Sequence, residues 1–242
     1  MSNFSIEPLL WEKNFFNVAS CKLILNDSIE DSDLIEINKK IIDFEFITIQ
    51  NINNRISNNT MLKKIPCYLI DVNVQFVFEK KSSYVEINQE QFICIENLKQ
   101  EEIKEIENII RNSFNYSRFF DEKKLPISRY HIYVEWFKNS ISDNEKKIII
   151  NKNEFGKITS FVIFNTSHVG TIQIELICSI EKGMGTKLIN ELKRVLYEDS
   201  NLTKIIVGTQ INNISAQNFY IRNGFLHNHN DSIYHLWKED IK

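Results

Sequence analysis

A tyrosine near the end of a short predicted helix carries a hydroxyl that could give a proton to a reaction. The stretch 213–225, NISAQNFYIRNGF, is predicted to form one helix that ends on Gly224, and Tyr220 lies one turn before that glycine. A phenol of ordinary pKa, about 10, is protonated at neutral pH and can act as an acid. Asn213, Ala216, Tyr220 and Gly224 share one helical face, so core packing is the alternative role for this side chain.

A glycine-containing loop upstream of this helix has the composition of an anion site. The segment 179–186, SIEKGMGT, leads from an apolar strand into an amphipathic helix. Its glycines let the backbone approach a ligand, and the free N–H groups at the helix start attract a negative group such as a pyrophosphate. The loop lacks the Gly-Lys-Ser/Thr of a P-loop and the three glycines of a dinucleotide fingerprint. A plain turn at a helix start is therefore equally consistent with it.

The elements that must position these two segments mix strands and helices from about residue 90 onward. In chain order they are a strand FICIEN, a helix LKQEEIKEIENIIRNSF, a helix from about 128 to 141, the strands KKIIIN, KITSFVIF and GTIQIELIC, the helix MGTKLINELKRVLYE, the strand KIIVGTQ, the tyrosine helix and a strand SIYHLW. The turn NEFG at 153–156 joins KKIIIN and KITSFVIF as a hairpin. This order predicts a mixed sheet with helices in a domain of residues 90–242.

Residues 1–89 form a smaller pattern of the same kind. CKLIL, FEFITI and CYLIDVNVQFVFE predict strands, and DSDLIEINKKII predicts a helix with an acidic start. No glycine occurs before Gly156, so this region has no phosphate-binding loop of its own. The chain is therefore predicted to be an α/β protein with a small N-terminal α/β domain, 1–89, and a larger C-terminal domain.

Composition and charge argue against several classes of function. The 242 residues are 43% hydrophobic and 12% aromatic, which is sufficient for a packed core. A formal net charge of -3, without any run of lysines and arginines, argues against nucleic acid as a partner. The N-terminal segment has no basic region followed by an apolar one, and no apolar stretch is long enough to cross a membrane. We therefore expect a cytoplasmic protein without a membrane partner.

Two histidines lie close together near the C-terminal end of the sequence. His227 and His229 form an H-N-H sequence that a metal could use as ligands. The polar residues that follow, between two strand-like runs, favour a polar hairpin instead. No metal site is therefore expected.

The glycine loop and the tyrosine helix together resemble the GCN5-related N-acetyltransferases, over about residues 91–238. That family has the element order given above, a strand leading to a Gly-x-Gly/Ala loop, and downstream an N-x-x-A-x-x-(F/L)-Y-x-x-x-G-F helix. The second motif is complete in this chain, as Asn213, Ala216, Phe219, Tyr220, Gly224 and Phe225. One position departs from the family pattern, because Ile180 stands where an arginine or a glutamine is usual.

The resemblance implies transfer of an acetyl group from acetyl-CoA to an amine. It assigns the general acid to Tyr220 and places the thioester carbonyl at backbone N–H groups of the strand IELIC. Cofactor contacts are then expected at Leu176, Ile177, Cys178, Lys182, Gly183, Met184, Gly185, Thr186, Asn213 and Ala216. Glu175, on the strand before the loop, and His168, where that strand begins, are the two candidates for a general base.

A narrower resemblance, to the dTDP-fucosamine acetyltransferases within this family, indicates an acceptor. It rests on the start SIEPLLWEKNFFNV, on SRF at 117–119, on the spacing Y-x-x-W-x-x-N at 133–139 and on TQ at 209–210. These enzymes act on dTDP-4-amino-4,6-dideoxygalactose for bacterial surface polysaccharide. The resemblance therefore implies a nucleotide-sugar substrate and a homodimer.

Four residues are the expected substrate contacts under this narrower resemblance. Arg118 is expected to bind the phosphates in a bidentate manner, with a surface ion pair as its alternative role. Tyr116, Tyr133 and Gln210 complete the set. Two other functions stay open: acetylation of a different amine (a 3-amino sugar nucleotide, a polyamine or a peptide N-terminus), and a non-catalytic acyl-CoA-binding scaffold, which Ile180 and the short loop favour.

Overall fold

The computed structural model describes residues 2–81, 97–114, 116–166 and 168–241, together with the backbone of residues 93–94. The strands are β1 (Phe4–Pro8), β2 (Ser20–Leu25), β3 (Phe46–Asn51), β4 (Tyr68–Glu79), β5 (Ile93–Cys94), β6 (Lys146–Lys152), β7 (Ile158–Asn165), β8 (Thr171–Ser179), β9 (Lys204–Gln210) and β10 (Leu226–Trp237). The α-helices are α1 (Leu10–Phe16), α2 (Asp31–Lys40), α3 (Ile56–Leu62), α4 (Gln100–Ser113), α5 (Ile132–Ile141), α6 (Met184–Glu198) and α7 (Ile214–Arg222).

The described strands form one mixed sheet in the order β1-β2-β3-β10-β4-β9-β8-β7-β6-β5. Two pairs are parallel, β2 with β3 and β8 with β9, and the other neighbours are antiparallel. β10 lies between β3 and β4, although it follows them in the chain by well over a hundred residues. The α/β fold class expected from the sequence is confirmed.

The sheet contains two repeats with the same topology. In the N-terminal repeat (residues 4–79) the order β2-α2-β3-α3-β4 follows β1, and in the C-terminal repeat (residues 158–237) the order β8-α6-β9-α7-β10 follows β7. Each repeat contains one parallel strand pair flanked by an antiparallel strand. The repeats exchange their final strands, because β10 pairs with β3, β4 pairs with β9, and the two exchanged strands pair with each other in the middle.

Apolar periodicity explains why the longer helices form where they do. Leu188, Ile189, Leu192 and Leu196 of α6 recur at helical spacing and are fully buried against β8 and β9. Burial of such a side chain contributes about 1.5–3 kcal/mol each, so the packed face more than offsets the weak propensity of an isolated helix. α2 begins instead with a capping box, in which Glu30 and Asp33 each accept a hydrogen bond from the other's backbone N–H.

The segment that follows α4 is attached to the central strands by a buried polar group. Glu122 accepts a hydrogen bond from the Tyr68 hydroxyl on β4 and lies 2.9 Å from Nδ1 of His235 on β10. Burial would raise the pKa of Glu122, but these hydrogen bonds outweigh it and lower the pKa to about 2. Phe119 of the same segment packs against the His235 ring. Residues 116–126 are therefore held over the junction of the two repeats.

Most predicted elements are confirmed, and several details differ. The predicted bounds of α6 and β9 agree with the structure. The polar hairpin expected at His227 and His229 is wrong, because both lie within the continuous strand β10, where a bulge accommodates them. Only residues 93–94 of the predicted strand FICIEN are described, and the expected boundary between residues 89 and 90 lies outside the described residues. β1, α1 and α3 were not predicted.

Candidate active site

A cavity of about 950 Å³ runs along the sheet and reaches both repeats. Consecutive residues of β9, from Val207 to Gln210, line it, as do consecutive residues of β8, from Gln173 to Ser179. Because neighbouring residues of a strand point to opposite faces of the sheet, the cavity must pass along the edges of these two strands. Such an opening within a sheet requires that the strands separate.

β8 and β9 do separate in the middle of the sheet. Their pairing covers Thr171–Ile174 and Lys204–Val207 only, although both strands continue beyond it. A bulge at Glu175, where β8 shifts its register against β7, bends the strand at this point. The backbone of Leu176, Ile177 and Cys178 therefore faces the opening without a partner strand on the β9 side, and all three residues line the cavity. Free N–H groups there can polarise a carbonyl.

The start of α6 lies beside this opening and has the features of an anion site. Gly183 precedes the helix with φ of 89°, a conformation that favours glycine, and no side chain caps the first turn. No acidic residue lies in that turn. Gly185 lines the cavity, and a Cβ at this position would come within 3.2 Å of the Phe219 ring. The glycine therefore lets the helix start approach α7 closely.

The remaining predicted cofactor contacts divide into two groups. Asn213 and Ala216 line the cavity, and the Asn213 side chain caps α7 by accepting a hydrogen bond of 3.2 Å from the Ala216 N–H. Lys182, Gly183 and Thr186 are exposed on the loop and Met184 is half-buried; these four do not line the cavity itself. A ligand group at the helix start would lie at the outer end of the opening.

Tyr220 combines a buried ring with a hydroxyl at the cavity. The ring packs between Phe76 and Phe225, with centroids 5.6 and 5.7 Å away, and only 4% of the residue is exposed. Tyr220 also lines the cavity, and its hydroxyl has no hydrogen-bond partner among the described residues. Burial raises the pKa of this phenol, so the hydroxyl holds its proton firmly. The two roles considered for this tyrosine are therefore compatible.

The two candidate bases lie in different surroundings. Both carboxylate oxygens of Glu175 are occupied, one by the Asn165 amide at 2.7 Å and the other by Lys146 at 2.8 Å and the Trp136 indole N–H at 3.3 Å. His168 is exposed where the cavity meets solvent. Glu175 thus connects α5, β6 and β7 through its partners, whereas the imidazole of His168 is open to a ligand or to water.

Three of the four predicted substrate contacts form one hydrogen-bonded group in the cavity wall. The Tyr133 hydroxyl donates to the Tyr116 carbonyl at 2.7 Å and accepts from the Gln210 side-chain amide at 3.1 Å. Burial raises the pKa of Tyr133, so this hydroxyl stays a donor. Tyr116 is half exposed and Gln210 lies where β9 ends. The structure therefore brings these three residues together, beside Asn73 of β4, which is the strand partner of Gln210.

Arg118 lies further along the cavity, over the N-terminal repeat. Its guanidinium stacks on the Phe119 ring, 4.1 Å from the centroid, and is 3.8 Å from the carboxylate of Glu12 on α1. That distance makes a loose ion pair and leaves the Arg118 Nε without a hydrogen bond. Both roles considered for this arginine therefore remain consistent with its position.

Residues of the N-terminal repeat also line the cavity, and the sequence did not predict them as site residues. These residues are Leu9, Trp11, Glu12, Lys22, Thr48, Gln50, Asp71, Asn73 and Gln75. Their sequence signal is the alternation of polar and apolar residues on β4, where Asp71, Asn73 and Gln75 alternate with Val74 and Phe76 of the core. Such a polar row on a central strand faces either solvent or a cavity, and here all three polar residues line the cavity.

Several solved structures are similar to this chain in fold. No protein-family model matches the sequence, and no curated protein matches it significantly. A GCN5-related N-acetyltransferase from Sphaerobacter thermophilus is structurally similar, with a TM-score of 0.63 at 10% identity over 97% of this chain and 76% of that one. A functionally unknown conserved protein from Staphylococcus epidermidis has a TM-score of 0.61 at 12% identity, over 97% and 91% of the two chains.

A third similar structure has two acetyltransferase units in one chain. It is a tandem GNAT protein from the clavulanic acid biosynthesis pathway, with a TM-score of 0.57 at 9% identity over 90% of this chain and 75% of that one. The chain thus has the fold of the GCN5-related N-acetyltransferases, as the sequence motifs predict. Among the described residues no helix is both long and apolar enough to cross a bilayer. That same part of the chain contains no group of three or more metal-ligating side chains.

Proposed function

We propose that this protein is an acetyl-CoA-dependent N-acetyltransferase. The observation that carries the proposal is the opening between β8 and β9, with the start of α6 on one side and Tyr220 among the residues that line the same cavity. An anion site, unpaired backbone donors and a protonated phenol along one cavity are what transfer from a thioester to an amine needs.

The residues around the opening fit acetyl-CoA. The first N–H groups of α6 would hold the pyrophosphate, and Gly183 and Gly185 keep that helix start free of side chains. Backbone N–H groups of Leu176 to Cys178 would hold the thioester end, where β9 leaves them unpaired. Acetyl-CoA supplies the acetyl group, activated as a thioester. Ile180 removes a side-chain contact to the pyrophosphate, so binding there rests on backbone groups.

We assign the proton-donating role to Tyr220 and favour His168 as the proton acceptor. A phenol whose pKa is raised by burial keeps a proton available for a leaving thiolate. Glu175 already accepts hydrogen bonds from three donors, so its role in this proposal is to position Trp136 and Lys146. His168 lines the cavity at its exposed edge, where it can pass a proton from the amine to water.

The acceptor that we propose is a nucleotide-linked amino-dideoxy sugar, such as dTDP-4-amino-4,6-dideoxygalactose. Two features support it. The cavity is much longer than an acetyl group and a small amine require, and its far part is lined by hydroxyl, amide and charged side chains. Sugar hydroxyls and a diphosphate match such a lining, whereas an aliphatic polyamine would leave most of these polar groups unpaired.

Turnover of acetyl-CoA with a panel of acceptors tests this function. The protein is incubated with acetyl-CoA and either dTDP-linked 4-amino or 3-amino sugars, spermidine or a short peptide, and free CoA thiol is measured. We expect the dTDP-4-amino sugar to give the highest kcat/KM. Turnover on the peptide alone would contradict the sugar assignment. Calorimetry with acetyl-CoA tests the scaffold alternative, which predicts binding without turnover on any acceptor.

A further inference from the structure

The far end of the cavity, in the N-terminal repeat, is an unusually polar place. Lys22 on β2 lies directly opposite Thr48 on β3, and both line the cavity. Gln50 of β3 pairs with Ile233 of β10, which in turn pairs with Asp71 of β4. Polar side chains of β2, β3 and β4 thus lie on one face of the sheet and line the cavity, with Ile233 of β10 between Gln50 and Asp71. Glu12 of α1 and Arg118 extend this lining from the layer above the sheet.

Several polar atoms at this end are buried and unpaired. Among the described residues, eight buried side-chain nitrogen or oxygen atoms have no hydrogen-bond partner, and three of them belong to Glu12, Thr48 and Arg118. Glu12 and Thr48 are only 4% and 2% exposed. An unpaired buried polar atom costs about 1–3 kcal/mol, and all three residues line this cavity, so small rotations of their side chains would let a polar ligand pair with these atoms.

The charges at this end favour an anion. The Lys22 ammonium has no hydrogen bond or ion pair within the described part of the chain, and Arg118 has only the loose contact with Glu12. Burial lowers the pKa of Lys22 and the nearby charge of Arg118 lowers it further, while the carboxylates of Glu7, Asp231 and Glu12 act in the opposite direction. Burial also raises the pKa of Glu12, which weakens the charge that could neutralise them. Two cations that repel each other in a half-buried cavity are stabilised by a shared anion.

We infer that Lys22 and Arg118 bind the diphosphate of the acceptor, with Thr48 and Glu12 hydrogen-bonded to the same ligand. The inference rests on the proposed function and assigns the residues that bind the diphosphate of its acceptor. The N-terminal repeat is then the specificity-determining part of the protein, because it provides Lys22, Thr48 and Glu12. Trp11, which lines the same end, offers an aromatic face on which a base can stack.

Calorimetry on the full chain saturated with CoA tests this inference, with dTDP as the titrant because it has the diphosphate and lacks the amine. We expect binding by the unmodified protein and a loss of about 10- to 100-fold in affinity for Lys22→Gln, the range for one charged hydrogen bond. Lys39→Gln removes an exposed lysine of α2 and serves as the matched control, with no change expected. Arg118→Gln is the second variant if Lys22→Gln fails to fold.

Any of three outcomes would overturn the inference. Either dTDP does not bind the CoA-saturated protein while a non-phosphorylated amine is acetylated, or Lys22→Gln binds dTDP as well as the control does. Competition between dTDP and CoA would also overturn it, since the anion site would then belong to CoA. Absence of acetyl transfer together with Lys22-dependent dTDP binding would instead contradict the proposed function and leave the binding site in place.

Discussion

The two repeats share a topology and differ at the point where their parallel strands run side by side. In the N-terminal repeat β2 and β3 are paired along their whole length, from Ser20 and Phe46 to Leu25 and Asn51. In the C-terminal repeat the pairing of β8 and β9 stops after four residue pairs. The strand pair β2–β3 is therefore closed along its whole length, and the strand pair β8–β9 is open beyond its four paired residues.

The residues near each parallel pair explain this difference. At the third position of α3 the N-terminal repeat has Asn58, which is fully buried and hydrogen-bonded to the Ile29 N–H, the Asp27 carbonyl and the Asn51 side chain. This asparagine ties the loop before α2 to β3. The third position of α7 is Ala216, which makes no such bonds and lines the cavity.

The helices of the two repeats also differ at corresponding positions. The seventh position of α3 is Leu62, a core residue, whereas the seventh position of α7 is Tyr220. α2 begins with Asp31 and Asp33, whose charges repel an anion, whereas the first turn of α6 contains no acid. The parallel strand pair is therefore closed in the N-terminal repeat and open in the C-terminal repeat. A small number of side chains makes that difference on a common backbone.

The largest effect that the comparison predicts is on catalysis, at Tyr220. We expect Tyr220→Phe to fold and to bind acetyl-CoA normally while kcat falls about 10²- to 10⁴-fold, or about 3–5 kcal/mol, because the general acid is lost. Steady-state kinetics with the acceptor proposed above measures this fall in kcat. Tyr197→Phe, on α6 and away from the cavity, is the control. A change of less than threefold would make Tyr220 a packing residue like Leu62.

The next effect is on stability, at Asn58. Asn58→Ala removes three buried hydrogen bonds, so we expect the free energy of unfolding to fall by about 2–4 kcal/mol. Because the N-terminal repeat is closed there, kcat well below the melting temperature should not change. Urea unfolding measures the free energy of unfolding, and steady-state kinetics measures kcat. Asn38→Ala, exposed on α2, should alter neither. A stability loss below about 0.5 kcal/mol would mean that Asn58 does not hold the repeat closed.

Gly183 and Gly156 are a matched pair of positions for testing the proposed anion site at the start of α6. Both have positive φ, 89° and 75°, and neither has an atom within 4 Å of an added Cβ. Alanine at either position should therefore cost about 1–2 kcal/mol of stability from backbone strain alone. Only Gly183→Ala should also weaken acetyl-CoA binding in calorimetry. Equal weakening in both variants would remove the start of α6 from the proposed site.

The smallest effect concerns the cap of α7. Asn213→Ala should cost about 1 kcal/mol of stability, and Asn213→Ser should restore most of it, because serine also accepts the helix N–H bond. In the corresponding helix α3 the N-cap residue is Arg55, whose side chain makes no capping hydrogen bond. Arg55→Ala should therefore reduce stability by less than about 1 kcal/mol, through loss of its partly exposed ion pair with Asp27. Thermal unfolding of both alanine variants measures which substitution costs more stability. The reverse order would contradict the role of Asn213 as a cap.

The elements around the cofactor opening were predictable because their signals are local. The apolar spacing of α6 and the glycines before it lie in one continuous stretch, and the motif helix has its asparagine, tyrosine and glycine at fixed intervals. α1 and α3 were missed because both are short helices of seven residues, stabilised by tertiary contacts that local periodicity does not reveal. A weak signal for the repeat does exist, since I-N-N followed by I-S occurs at 52–57 and again at 211–215.

The far end of the cavity was not predictable from local patterns. Lys22 and Thr48 are partners in the β2–β3 pairing, but Asp71 lines the same cavity across β10, which enters the sheet between β3 and β4. Nothing in the residues of β2 or β3 indicates that insertion. The hairpin expected around His227 and His229 is wrong for the same reason. Between two partner strands a polar stretch can stay extended, because both edges of β10 find hydrogen bonds.

The exchange of final strands has a consequence for how the chain is made. Asn51 of β3 and its partner Ser232 of β10 are 181 residues apart, so during synthesis β3 leaves the ribosome long before its neighbour exists. Until then β3 presents an unpaired edge, which another nascent chain could pair with. A fragment of residues 1–89 would keep that edge open permanently. Loss of β10 would expose an edge of β3 and an edge of β4 and would divide the sheet between them, so both repeats should lose their folded state together.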